Sequence, residues 1–219
     1  MTGPERETAR PIPDLPVLHV LAGDAEAGRS DFGSLVDDLL AAGNGDLALH
    51  VRLREATGRR VHEVATGVRE GADRHGGWCV VNDRADAALT AGAHAVQLGG
   101  ESLPVTAARR VLEGEAAVGR SVHGVGAARR AARDGANYLV LGTIYPTPSH
   151  PERPGAGPGL VDEVAEIGPP VIAIGGIDAG RVPEVRSAGA HGVAVRRAVW
   201  GAGNPAEAVR ELLDAWTES

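Results

Sequence analysis

Eight short apolar runs, each followed by a segment with helical spacing, constrain this chain more than any other feature. The runs are VLHVL at 17, LALHVRL at 47, WCVV at 78, AVQL at 95, AVGRSV at 117, YLVLG at 138, VIAIG at 171 and GVAVR at 192. They are dominated by aliphatic and β-branched residues and are too short for ordinary helices, so they read as buried strands. Between and after them lie SLVDDLLAAG, VHEVATGVREGADR, RADAALTAG, PVTAARRVLEG, GAARRAARDG, LVDEVAEI, RVPEVRSAG and PAEAVRELLDAWT, which read as helices. Regular β-α alternation implies a parallel sheet, because each helix carries the chain back to the edge where the next strand starts. Eight such units in 219 residues predict a closed (β/α)8 TIM barrel, an α/β single domain at the small end of its size range. An open doubly wound sheet would carry a glycine-rich fingerprint after its first strand, and LAGDAEAG is a poor match.

A repeated turn supports stacked equivalent units. TAGAHAVQL, RDGANYLVL and SAGAHGVAV each run from a helix end through Gly-Ala into a strand, the glycine ending the helix. Residues 1–14, with Pro4, Pro11, Pro13 and charges between, are expected to form a flexible tail, leaving residues 15–219 as the barrel domain. The stretch PTPSHPERPGAGPG, residues 146–159, is too rich in proline and glycine for regular structure and reads as a lid or as a loop without function. No apolar run approaches the roughly 20 residues of a membrane span, and no apolar signal core opens the chain. The lone Cys79, inside WCVV, cannot form an internal disulfide and reads as a core thiol. A cytoplasmic location is the expectation. The net charge of -7, without a basic block, argues against nucleic acid or an anionic membrane as the main partner and leaves room for a small anionic ligand.

In a barrel of this kind the chemistry sits at the C-terminal ends of the strands. His123 follows strand five and can point into that mouth, although a lone histidine in a turn is more often a surface residue. Strand seven ends in Gly175-Gly176 and strand eight in Arg196-Arg197. Glycine lets backbone N–H groups approach an oxyanion, so these four residues make a phosphate-cradle candidate; a tight turn beside solvated arginines is the plain alternative. Further polar residues at strand ends are Arg54, Asn82, Asp83, Gln97, Ser121 and Thr143, and together they suit an anionic, heteroaromatic-sized ligand. Asp83 reads equally well as a helix cap. Among the other histidines His50 lies inside strand two, His94 and His191 occupy turns at the barrel's bottom, and His19, His62 and His75 lack polar company. No pair has metal-ligand spacing.

RLREATG, VVNDRADAALTAGAHAVQLGGESLP, GRSVH, GANYLVLGTIYPTPSHP, VIAIGGI and AGAHGVAV, in this order, resemble the thiamine phosphate synthase and TenI superfamily of (β/α)8 barrels. The resemblance implies a thiazole phosphate as ligand, with no nucleic acid or membrane, and allows a homo-oligomer. Within the superfamily, the synthases join hydroxymethylpyrimidine diphosphate to a thiazole phosphate with magnesium. Their pattern has a lysine, a glutamine, an aspartate and a second lysine where this chain has Ala56, Gly100, Ser102 and His150. Only Asp83 remains as a magnesium ligand. These losses, with Gln97 replacing a common histidine, lean toward the TenI branch, in which a metal-free isomerase aromatises a carboxythiazole phosphate. His123 is then the acid/base: an imidazole can take a proton from one carbon and return it to another near neutral pH. Arg54, Asn82, Gln97, Ser121, Thr143, Gly175, Gly176, Arg196 and Arg197 would bind the substrate. A divergent synthase and a non-catalytic thiazole phosphate-binding regulator are the alternatives.

Overall fold

The computed structural model describes residues 14–148 and 154–218. Strands β1 (Leu18–Ala22), β2 (Leu47–Val51), β3 (Trp78–Asn82), β4 (Ala95–Leu98), β5 (Ala117–Val122), β6 (Tyr138–Gly142), β7 (Val171–Ile174) and β8 (Gly192–Val195) pair in sequence order, all parallel. β8 returns to β1, with Leu18 opposite Val193, and closes the barrel. The helices are α1 (Asp24–Ala27), α2 (Phe32–Gly43), α3 (Gly58–His75), α4 (Ala85–Thr90), α5 (Val105–Leu112), α6 (Val125–Arg133), α7 (Gly159–Ala165), α8 (Val182–Ser187), α9 (Arg197–Trp200) and α10 (Pro205–Thr217). The expected (β/α)8 barrel is the observed fold. Helices α1 and α9 and a 3₁₀ turn at Ala179–Arg181 are additions, each too short to show a period in sequence.

Local chemistry explains the element boundaries. Helix α3 begins where the Thr57 hydroxyl accepts the Arg60 N–H at 3.3 Å and ends at Gly76 in the left-handed conformation. Its buried residues, Val61, Val64, Ala65, Val68 and Ala72, recur three and four apart and face the sheet. Each valine removed from water there stabilises the fold by about 1.5–3 kcal/mol before chain entropy is counted. The repeated Gly-Ala turns behave as their sequence predicts: Gly92, Gly135 and Gly189 all have positive φ, at 62°, 87° and 88°.

Alternation along each strand sends one set of side chains to the helices and the other into the barrel. The outward set joins the helices in one large apolar core, in which Cys79 is buried and its thiol is pushed up to about 12 by that burial. The inward set is mixed. Ala48, Val80, Ala95, Val140, Ile172 and Ala194 are apolar, whereas His19, His50 and Gln97 are polar and almost fully buried. Tyr138 fills the interior because Gly119 yields the space; a Cβ there would lie 2.3 Å from the tyrosine ring.

Residues 1–13 of the expected tail and 149–153 of the expected lid, including His150, lie outside the described residues. The returning arm of that loop is tied to the end of β6, with Ala156 N–H donating to Thr143 O and Gly157 N–H to Ile144 O, both at 2.9 Å. Among the described residues no helix is long and apolar enough to cross a membrane.

Candidate active site

The C-terminal ends of the strands form a mouth whose two halves differ chemically. On the β5–β8 side, Ser121 and His123 continue the inward alternation of β5. His123 lies against Gly142 O at the end of β6 through Nδ1. A carbonyl only accepts, so Nδ1 carries the proton, and the neutral ring keeps a lone pair on Nε2. Thr143 follows on the rim.

Gly175 and Gly176 have φ of 107° and 65°, and a Cβ on either would collide with the β6 loop. Ile144 N–H donates to Ile174 O at 2.9 Å and Tyr145 N–H to Gly175 O at 3.0 Å. In a trans peptide the N–H lies on the edge opposite the carbonyl. The N–H groups of Gly175 and Gly176 therefore face away from the β6 loop, and neither donates to a carbonyl among the described residues. Arg181 donates to Gly176 O while its guanidinium lies 4.6 Å above the Tyr145 ring, bracing this turn. Backbone N–H groups left unpaired in this way are what a phosphate cradle would require.

Arg196 is placed differently from a phosphate ligand. Its guanidinium is engaged by Glu26 of α1, at 2.9–3.2 Å. Burial opposes the Glu26 charge, but hydrogen bonds from Arg196 and the Gly23 N–H hold its carboxyl below the usual range. Arg196 thus secures α1 against the end of β8. The Arg197 side chain is exposed.

The β2–β4 side carries cations and a carboxylate. Arg54 is exposed and its backbone N–H donates to Asp24 at 2.9 Å. Arg52, two residues past the inward His50, was not among the sequence candidates. Its side chain is half-buried and makes no hydrogen bond or ion pair among the described residues. Burial, then the neighbouring charges of Arg54 and Arg196, hold it below the ordinary arginine value, with Asp83 opposing.

Asp83 does not cap α4, whose N-cap is Arg84. It has φ of 65°, and its Oδ1 accepts from Gly99 N–H at 2.8 Å and from the Ser102 hydroxyl. Below it, Gln97 Nε2 donates to Ser121 Oγ at 2.9 Å, while Gln97 Oε1 has no partner among the described residues.

The expectation that His19, His62 and His75 lack polar company fails: His62 Nδ1 lies 3.2 Å from Thr90 Oγ1, His75 Nε2 lies 3.0 Å from Asp37 Oδ1, His19 Nδ1 lies 2.8 Å from His50 Nε2, and His50 Nδ1 lies 3.1 Å from the amide of Asn82. The parity of β1 and β2 turns the His19 and His50 rings into the barrel. The signal available in sequence was a histidine inside each of two adjacent apolar strands, since a buried polar group demands a partner.

The sequence matches the family described as "Thiamine monophosphate synthase" over residues 18–199. The chain belongs to the thiamine monophosphate synthase family. It is 40% identical over 201 residues to the thiamine-phosphate synthase of Mycolicibacterium vanbaalenii, covering 88% of this chain and 90% of that one. It is 49% identical over 154 residues to the thiamine biosynthesis bifunctional protein ThiM/ThiE of Symbiobacterium thermophilum, 69% of this chain but only 32% of that longer protein. Among solved structures, thiamine phosphate pyrophosphorylase from Pyrococcus furiosus superposes with a TM-score of 0.82 at 30% identity, covering 92% of this chain and 95% of that one. These relatives carry the family's transferase names, whereas the sequence departures leaned toward its isomerase branch.

Proposed function

We propose that this chain is a transferase of thiamine biosynthesis that joins hydroxymethylpyrimidine diphosphate to a thiazole phosphate and releases diphosphate. The observation that carries the reading is Arg52, a half-buried guanidinium without a partner among the described residues, set in the half of the mouth away from Gly175 and Gly176. An isomerase acting on a carboxythiazole phosphate would place only a singly charged carboxylate in this half, whereas the transferase would place a diphosphate beside Arg52 and Arg54. Two anion-holding regions suit two phosphorylated substrates, and the names of the relatives support the same choice.

In the reaction the thiazole nitrogen forms a C–N bond to the pyrimidine methylene while the methylene C–O bond breaks and its electron pair leaves with the diphosphate. Arg52 and Arg54 face the charge that develops on that leaving group, where fixed cations act most strongly. They compensate for the lysine that Ala56 lacks. The Gly175-Gly176 turn holds the thiazole phosphate, so that orientation rather than collision governs the C–N step.

A divalent cation fits this half in a weak form. Asp83 offers one carboxylate oxygen and Ser102 a hydroxyl, and magnesium accepts one or two protein oxygens when substrate phosphates and waters complete its shell. Bound there with the diphosphate, it would supply further neutralisation of the leaving group.

His123 favours a second reading. Its proton is fixed on Nδ1 and Nε2 is left to act as a base at the mouth, as an isomerase of the carboxythiazole phosphate would require. One experiment separates the two. The purified chain is given hydroxymethylpyrimidine diphosphate, thiazole phosphate and magnesium, and separately the carboxythiazole phosphate tautomer in a chelator. Formation of thiamine phosphate in the first mixture is expected; isomerisation in the second without product in the first would replace the transferase by the isomerase.

A further inference from the structure

The interior of the barrel holds a hydrogen-bonded line that runs from its bottom to the active-site mouth. His19 Nε2 lies 3.0 Å from Pro16 O, His19 Nδ1 lies 2.8 Å from His50 Nε2, and His50 Nδ1 lies 3.1 Å from the side-chain amide of Asn82. His19 and His50 are almost fully buried and Asn82 is half-buried at the end of β3. Such a line has a direction, set by its one invariant group. The Pro16 carbonyl can only accept, so His19 carries its proton on Nε2 and, when neutral, accepts through Nδ1. His50 must then donate through Nε2, which leaves its own Nδ1 as an acceptor. That acceptor requires an N–H from Asn82.

The atom placed toward His50 is Asn82 Oδ1. The two ends of an amide have the same shape, and the hydrogen count decides between them. With Oδ1 facing His50, the line needs one more proton and hence an imidazolium inside the barrel. The charges acting on the pair, Arg52 on His50 and His191 on His19, both oppose a further positive charge, and among the described residues no carboxylate acts on either ring. The neutral line, with Asn82 Nδ2 turned down to His50, satisfies every buried group without a buried charge.

We infer that His19 and His50 are positioning residues for substrate choice: they hold the Asn82 amide with its nitrogen toward the barrel interior and its carbonyl oxygen toward the mouth, so that the site selects a ring bearing an N–H donor. Neither histidine touches the reacting atoms. Asn82 alone would present either face of its amide by a half-turn of its last torsion, and the pair removes that freedom. Naming the donor as the exocyclic amino group of the thiamine pyrimidine rests on the transferase reading above; the orientation of the amide does not.

Two measurements test this on the full chain. In the first, histidine side-chain nitrogen resonances are assigned with the help of His19→Gln and His50→Gln chains at neutral pH. Both rings should be neutral with the proton on Nε2; a proton on Nδ1 of His50, or a doubly protonated ring in the pair, would overturn the proposal whether or not the protein turns over a pyrimidine.

The second compares hydroxymethylpyrimidine diphosphate with its analogue carrying an oxo group in place of the amine. The wild-type chain should prefer the amine by roughly ten- to a hundred-fold in kcat/KM, the effect of facing a carbonyl oxygen with a group that cannot donate. His50→Gln, which can still accept from Asn82 and donate to His19, should keep the preference. His50→Leu should lose it while the KM for thiazole phosphate is unchanged. Retention of the preference in a folded His50→Leu chain would refute the positioning role. If the wild-type chain forms no thiamine phosphate at all, the transferase reading fails while the nitrogen spectrum still decides the inference.

Discussion

Lowering the pH should destabilise this barrel through its interior histidines before its carboxylates respond. Burial holds His50 at about 4, against an ordinary 6.5. Burial, followed by the neighbouring His50, also holds His19 well below 6.5. The unfolded chain takes up these protons near 6.5 and the folded chain refuses them until much lower, so protons favour unfolding across the interval. The stability associated with His50 is therefore full above 6.5 and is lost progressively as the pH falls toward 4. From about pH 7.5 to about pH 5 the His50 proton alone costs about 2 kcal/mol, at about 1.4 kcal/mol for each unit of separation. That is a large share of the roughly 5–15 kcal/mol of net stability available to a domain.

The assay is urea unfolding at both pH values, followed by the fluorescence of Trp78, Trp200 and Trp216, for the wild-type chain and His50→Gln. Glutamine keeps the hydrogen bonds but does not titrate. The acid responses of exposed pairs such as Arg29–Asp31, and of His94, cancel in the difference between the two chains. The variant should lose about 2 kcal/mol less than the wild type over this range. Equal losses in the two chains would show that His50 is not kept neutral by the fold and would refute the reasoning.

Four further outcomes follow from the mouth. Arg52→Gln should raise the KM for the pyrimidine diphosphate by roughly ten- to a hundred-fold while leaving that for thiazole phosphate unchanged, because a charged hydrogen bond to a phosphate is lost; steady-state kinetics with each substrate varied in turn checks this. Chelation should abolish thiamine phosphate formation, and Ser102→Asp, by adding a carboxylate beside Asp83, should lower the magnesium concentration for half-maximal rate in a metal titration. Gly176→Val should raise the KM for thiazole phosphate, since its Cβ would lie 2.6 Å from Pro146 O and its φ of 65° suits no β-branched residue; circular dichroism checks that the barrel persists. His123→Asn should reduce any carboxythiazole isomerisation roughly 10²- to 10⁴-fold in kcat, the loss of a general acid/base, while binding of the phosphorylated thiazole measured by calorimetry is retained.

The barrel was legible in the sequence because burial on both faces of a parallel strand leaves an apolar run that nothing else in the chain imitates. The glycine pair at the end of β7 was legible as well, since its positive φ and close approach to the β6 loop exclude a side chain. What the sequence hid was pairing at a distance. Arg196 reads as a free cation until Glu26, 170 positions earlier, is brought against it. Asp83 reads as a helix cap because its left-handed backbone, which swings the carboxylate across to Gly99 and Ser102, leaves no mark in the local pattern. Arg52 was absorbed into the strand run LALHVRL, although counting inward positions from Ala48 through His50 would have placed it in the mouth. The two interior histidines lie 31 positions apart and needed the register of β1 against β2 to meet.

These hidden contacts change the charge balance that first leaned toward the isomerase. Counted by motif, the β2–β4 half lacks a lysine at Ala56 and an aspartate at Ser102, and a diphosphate has too little to hold it. Counted in the structure, Arg52 and Arg54 bring two positive charges and Asp83 one negative, while Glu26 offsets most of the charge of Arg196. The half is left at a net of about one positive charge, enough for a single carboxylate and less than a diphosphate requires. On the transferase reading a divalent cation carried in with the substrate would close that gap, and one carboxylate with one hydroxyl, Asp83 and Ser102, would hold it only weakly without diphosphate. The transferase reading therefore predicts metal dependence without tight resident metal, so that magnesium should bind measurably only when diphosphate or the pyrimidine diphosphate is present. Calorimetry of magnesium with and without inorganic diphosphate tests the balance directly, and tight binding of the ion alone would contradict it.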